Sequence, residues 1–179
     1  MQIELRRGLS LQPGSFCAVI APEKILISAI NDNADLQRFL FLFVSGNYSR
    51  ILPGILRTSK NFEVRRAFTA AQLLTVLREA AHTVVLVEHD PTLFDEAKAL
   101  LDPVSAALKD AARESLVILY TPSANRSFSI LARRADHYVE LADFGDPPQA
   151  SAPRVYASSA RRNQGRGILG KGQRVLDVS

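Results

Sequence analysis

The apolar residues of this chain fall into short unbroken runs separated by polar turns, with amphipathic stretches between them. Phe16-Cys17-Ala18-Val19-Ile20-Ala21, Phe39-Leu40-Phe41-Leu42-Phe43-Val44, Val84-Val85-Leu86-Val87 and Leu116-Val117-Ile118-Leu119-Tyr120 contain no polar position that could face water. Runs of this length, rich in β-branched and aromatic side chains, suit strands covered on both faces. His137-Tyr138-Val139-Glu140-Leu141 and Phe62-Glu63-Val64-Arg65-Arg66-Ala67-Phe68 alternate more and read as further strands. Between them the period changes to three and four. Leu73, Leu74, Leu77 and Ala81 share one helical face after Thr69-Ala70-Ala71-Gln72, which reads as a capping box, and that helix is expected to end near His82. Leu93, Ala97, Leu101, Val104, Leu108 and Ala111 form a second stripe, predicting helix over 93–114. In it, Pro103 either kinks one helix or follows Asp102 as the first residue of another. Shorter helices are expected after Pro22 and over 127–135, and a short turn capped by Asn33 over 33–37.

Strands alternating with helices predict an α/β fold, a mostly parallel sheet flanked by helices. Leu9-Ser10-Leu11-Gln12-Pro13-Gly14-Ser15 reads as a loop and turn before the first strand, and 51–61 as another loop. Residues 143–153 carry Gly145, Pro147, Pro148 and Pro153 and read as a linker. Beyond it, Arg154-Val155-Tyr156-Ala157 and Gln173-Arg174-Val175-Leu176-Asp177-Val178 are expected to pair as an antiparallel hairpin. The division is then a core over 1–142 and, over 143–179, a loop and basic hairpin completing the same domain.

Composition changes this picture little: 47% apolar and 22% charged residues over 179 positions are ordinary for one globular domain. The single cysteine, Cys17, can form no internal disulfide, which fits a reducing cytoplasm. No apolar run is long enough to span a membrane, and the N-terminus lacks the apolar centre of a signal peptide. Charge matters more. The net +4 is concentrated late: Arg154, Arg161, Arg162, Arg166, Lys171 and Arg174 occur between 151 and 175 with no acidic residue among them. They can track the phosphate backbone of single-stranded DNA, with Tyr156 as the one aromatic available for stacking, or simply keep a hairpin solvated.

The chemistry-bearing stretch is Glu88-His89-Asp90-Pro91, directly after the Val84 run. Ligand sites of open α/β sheets lie at the C-terminal ends of strands. Glu88 and Asp90 there read either as ligands of magnesium and water or as caps of the following turn. His89 has no second histidine or cysteine at a metal-binding spacing, and His82 and His137, which flank strands, read as structural. Thr121, Ser123 and Asn125 follow another strand end without a nucleophile-elbow pattern and read as turn residues.

Three landmarks together resemble the RecA/RadA recombinase ATPase core, which includes the KaiC-like proteins. Residues 9–20 are similar to that family's entry into its first strand. Phe62-Glu63-Val64-Arg65-Arg66-Ala67-Phe68-Thr69-Ala70-Ala71-Gln72 resembles the archaeal RadA pattern V-A-R-A-F-x-x-x-x-Q, with Arg65 at the second position and one residue fewer before Gln72. Val84-Val85-Leu86-Val87-Glu88 stands where the family has its Walker B strand. The resemblance implies a RecA-like P-loop fold running to about Val178 and a setting in DNA repair or recombination. Its phosphate loop, G-x-x-x-x-G-K-[ST], is replaced by Ala21-Pro22-Glu23-Lys24-Ile25-Leu26-Ile27-Ser28, which has no glycine. The expectation is therefore a non-catalytic accessory or binding module without cofactor or metal, partnered by another protein, a second copy or single-stranded DNA. The alternative is a divergent NTPase that binds ATP and magnesium through Lys24, Ser28, Glu88 and Asp90. Phe68-Thr69-Ala70-Ala71 also reproduces the F-x-x-A string by which recombinases of this family dock onto neighbours, although here it overlaps the capping box.

Overall fold

A computed structural model describes residues 3–6, 9–33, 36, 38–141 and 155–157. Its centre is a sheet in which six strands run parallel: β3 (Ser15–Ile20), β4 (Phe41–Ser45), β5 (Phe62–Arg66), β6 (Val84–Glu88), β7 (Leu116–Thr121) and β8 (His137–Glu140), in the order β5-β4-β6-β7-β3-β8. The fold is α/β, as the apolar runs predict. β9 (Val155–Ala157) adds to β8 antiparallel, with Tyr138 opposite Tyr156. The expected hairpin partner over 173–178 lies outside the described residues.

The two-residue alternation of each strand sorts its side chains into two cores. Cys17, Val19, Phe41, Phe43, Val84, Leu86, Leu116, Ile118 and Tyr120 pack on one face beneath helix α1 (Glu23–Asn31) and the turn around Leu52. Phe16, Ala18, Leu42, Val44, Val85, Val87, Val117 and Leu119 pack on the other, beneath α2 (Ala70–Arg78), α3 (Leu101–Ala111) and α4 (Arg126–Leu131). Every position of β3, β4, β6 and β7 is buried. Only a strand covered above and below can be apolar throughout without exposing half its side chains.

The structure alters several expectations. Residues 9–11 are not loop but β2 (Leu9–Leu11), which pairs antiparallel with β1 (Ile3–Arg6). Gly14, at φ +74°, then turns the chain and donates its N–H to the Ser115 carbonyl. β4 starts at Phe41 rather than Phe39, because Phe39 closes a turn onto the Leu36 carbonyl. The 51–61 loop contains a 3-10 turn over Leu52–Gly54. α2 begins as expected: Thr69 Oγ1 accepts from the Gln72 N–H at 3.2 Å, and Gln72 Oε1 accepts from the Phe68 N–H at 2.8 Å. It ends at Arg78, short of His82. The helix expected over 93–114 begins only at Leu101, preceded by 3-10 turns over Pro91–Phe94 and Lys98–Leu100. Pro103 neither kinks it nor opens it. It is the third helical residue, where no intrahelical N–H bond is lost. α4 starts one residue earlier than expected and tightens into a 3-10 turn over Ala132–Arg134.

Candidate functional site

The parallel strands bring the ends of β3, β4, β6 and β7 to one edge, where the resemblance places phosphate and magnesium chemistry. Glu88 and Tyr120 are register partners on adjacent strands, and β3 lies on the other side of β7. The acid-tipped strand and the first strand thus share one edge, separated by a single strand.

β3 passes into α1 through two residues. The Ala21 N–H donates to the Thr121 carbonyl at 3.2 Å, and the Tyr120 hydroxyl donates to the Ala21 carbonyl at 3.1 Å. Pro22 follows, in extended conformation at φ −54° and ψ 141° and with no N–H to offer, and α1 begins at Glu23. The Ile25 and Leu26 N–H groups turn back onto the Pro22 carbonyl. A phosphate cradle needs several amide groups converging on open space. Here the amide of Ala21 is taken and Pro22 has none. The positive end of α1 already faces a carboxylate of its own chain, Glu23, which lies 3.8 Å from Arg50. Lys24 is exposed on α1. Ser28, one turn on, is exposed and donates its hydroxyl to Asp32 at 2.8 Å. These residues do not fit a bound triphosphate.

Glu88 is 6% exposed. Its carboxylate accepts from the Ser49 hydroxyl and from the Arg50 N–H at 2.9 Å. Ser49 Oγ in turn accepts from the Leu52 N–H at 3.0 Å. One strand-end carboxylate therefore anchors the turn over 49–52, directly at Ser49 and Arg50 and through Ser49 at Leu52. Burial pushes its pKa up, against the lowering effect of the Ser49 and Arg50 bonds. Asp90 caps the next turn, Oδ1 accepting from the Thr92 N–H at 3.0 Å and the Thr92 hydroxyl at 2.6 Å. Its side chain fills the space beside Gly46 at the end of β4, where an added Cβ would sit 2.8 Å from Asp90 Cβ.

His89 faces away from this pair. It is 8% exposed and lies against the rings of Phe94 and Phe128, at 6.2 and 5.7 Å between centroids. Its Nε2 is 3.0 Å from Ser127 Oγ and 3.2 Å from Asn125 Oδ1. Asn125 is more than a turn residue: Oδ1 caps α4 by accepting from the Phe128 N–H at 2.8 Å and also from the Ser127 hydroxyl. Burial lowers the His89 pKa, opposed by the bond to Asn125 and the charge of Asp90. Thr121 Oγ1 donates to the Ser123 carbonyl within the preceding turn.

At the opposite end of the sheet, a cleft of about 570 Å³ opens between α2 and α3, lined in part by Leu77, His82, Pro103, Ala107 and Ser115. His82 Nε2 is held 2.9 Å from Glu63 Oε2, while its Nδ1 is buried without a partner. No group of three or more His, Cys, Asp or Glu side chains suited to a metal ion occurs among the described residues. No helix among them is long and apolar enough to cross a membrane. Arg154, Arg161, Arg162, Arg166, Lys171 and Arg174, the expected nucleic-acid contacts, lie outside the described residues. Gly46, Ser49 and Arg50 carried no signal in the sequence, since each is a polar or small loop residue remote from the acid it serves.

No family model matches the chain. A protein of Archaeoglobus fulgidus, described only as uncharacterized, is 35% identical over 127 residues, which are 70% of this chain and 64% of that relative. The chain thus spans just under two thirds of the length of the relative it matches.

Proposed function

We propose that this chain is a RecA/RadA-like module that binds partners without hydrolysing nucleotide, in an archaeal DNA repair or recombination setting in the cytoplasm. The observation that carries the non-catalytic half is the commitment of Glu88. Magnesium-binding acids at strand ends keep open coordination sites. Here the carboxylate is buried and occupied by the 49–51 turn. The closed passage from Ala21 to Glu23 supports the same reading. The setting rests on the resemblance of residues 9–20, 62–72 and 84–88 to recombinases; the relative's organism supports only its archaeal part.

Two kinds of partner follow. Another protein chain would meet the sheet at an uncovered edge. Single-stranded DNA would meet Arg154, Arg161, Arg162, Arg166, Lys171 and Arg174. Thermal unfolding with and without saturating ATP and magnesium tests the first half. The expected melting temperature is unchanged, whereas a rise abolished by Glu88→Gln restores the NTPase reading. Fluorescence anisotropy with a single-stranded oligonucleotide tests the DNA contact. Binding should weaken steeply with salt and vanish when those six charges are reversed. Binding unaffected by the reversal removes that contact.

A further inference from the structure

β5 is the last strand of the sheet, and among the described residues no strand pairs with its outer side. Its register on β4 shows which backbone groups face outward. The Phe41 N–H donates to the Asn61 carbonyl and the Ala67 N–H to the Ser45 carbonyl. Along a parallel ladder, residues bond alternately to one side and the other. Positions 61, 63, 65 and 67 therefore bond inward to β4, and Phe62, Val64 and Arg66 present their amide and carbonyl groups outward. The Phe62 N–H is taken by the Ser59 carbonyl at 3.4 Å. Among the described residues this leaves the Phe62 carbonyl, both groups of Val64 and both groups of Arg66.

The side chains on this edge are neither apolar throughout nor guarded by a single charge. Phe62 and Val64 are half-buried against the α1-side core, and Phe62 stacks on Phe41 at 4.8 Å. Arg66 shares their face and is exposed. On the opposite face, Glu63 lies 2.6 Å from Arg65. The strand reads Phe-Glu-Val-Arg-Arg. Turned end for end about its central valine, it sets Phe62 opposite Arg66, Glu63 opposite Arg65, and Val64 opposite itself.

From this juxtaposition we propose that β5 is a self-pairing edge. Two copies of the chain join antiparallel about a two-fold axis through Val64, extending the parallel sheet of each across the dimer. The proposal rests on the binding-module reading and names its protein partner. In that register the two Val64 residues exchange N–H···O bonds, and each Arg66 N–H meets the opposite Phe62 carbonyl. The charged pairs fall at non-hydrogen-bonded positions, where side chains approach most closely, with Cβ atoms roughly 4.5–5.5 Å apart. Each Glu63 then lies between two arginines, its own Arg65 and that of the other copy. Each Arg66 guanidinium lies over a Phe62 ring that is otherwise partly exposed to water. A shift of two residues in either direction puts Arg65 opposite itself or Glu63 opposite itself. The pattern therefore selects one register as well as a partner.

Sedimentation of the 179-residue chain over a wide concentration range tests this. The expected result is a monomer–dimer equilibrium. Val64→Pro removes an amide that faces outward only, so the chain should still fold, as circular dichroism would show, while dimerisation weakens by about thirtyfold. Glu63→Arg and Arg65→Glu each place like charges opposite one another and should each weaken self-association by about tenfold or more. Mixed together they are complementary at both positions and should recover a one-to-one dimer. A chain that stays monomeric at high micromolar concentration overturns the proposal. So does a dimer indifferent to these variants, or a mixture that fails to recover association. Because ATP is absent from these measurements, their failure leaves the nucleotide test of the module reading separate.

Discussion

The C-terminal ends of the central strands and the outer edge of β5 offer opposite solutions to the same problem, what to do with polar groups at the margin of a sheet. At the strand ends, the chain's own groups occupy the strand-end acids and the passage from Ala21 to Glu23. Glu88 holds the 49–52 turn, Asp90 fills the space beside Gly46, Glu23 stands at the α1 N-terminus, and Tyr120 ties down Ala21. Along β5, backbone donors and acceptors remain unpaired by any described strand, flanked by half-exposed Phe62 and Val64. The difference teaches that one sheet can close its acid-tipped strand ends with the chain's own turns while the polar groups left available lie along an outer strand. The edge that the resemblance marks as functional is closed, and the one it says nothing about is open.

Breaking the closed end should cost most. Gly46→Val drives a branched side chain into Asp90 and should destabilise the protein by about 3 kcal/mol or more, measured by urea unfolding. Glu88→Ala strands the buried Ser49 hydroxyl and the Arg50 N–H and should cost about 2–3 kcal/mol. Thermolysin cleavage near residues 48–55 should rise with it, since that turn loses its anchor. If Glu88→Ala is neutral, the carboxylate is not holding the turn.

The pH dependence sharpens the contrast within the closed end, because two adjacent residues act in opposite senses. The Glu88 pKa is raised by burial, so its stabilising contribution is complete below the ordinary value of 4.5 and is lost as pH rises through the folded value. The His89 pKa is lowered by burial, so its contribution is complete above 6.5 and is lost as pH falls through the folded value. Thermal melts across pH 4–8 should therefore lose, in Glu88→Gln, a fall in stability with rising pH above 4.5 and, in His89→Gln, a fall in stability with falling pH below 6.5. Matching profiles in both variants would show that neither shift contributes. The smallest effect belongs to the open edge: Val64→Pro should change monomer stability by about 1 kcal/mol, set by its packing against the α1-side core, because among the described residues its amide bonds to nothing.

The sheet was legible because its central strands are apolar on both faces, a pattern only helix-covered strands can sustain. The capping box at Thr69 was legible for a local reason, since both of its bonds close within four residues. The late start of α3 was hidden because Leu93, Ala97 and Leu101 keep a helical spacing through two 3-10 turns. β1 and β2 are too short for alternation to declare them. At the site, the acids were legible but their partners were not. Ser49 and Arg50 reach Glu88 across 39 and 38 residues, and Ser127 reaches His89 across 38, distances over which no periodicity speaks. The absence of a phosphate-loop pattern was readable from the sequence alone, as the lack of glycine between 21 and 28. That Glu88 had turned inward to hold a neighbouring turn was not.

The most direct test of the central claim is calorimetric titration of ATP with magnesium into the intact chain, in parallel with Glu88→Gln. The account predicts no saturable heat for either protein. A saturable binding heat in the natural chain that Glu88→Gln abolishes would contradict it, since Glu88 would then be holding magnesium rather than the 49–52 turn.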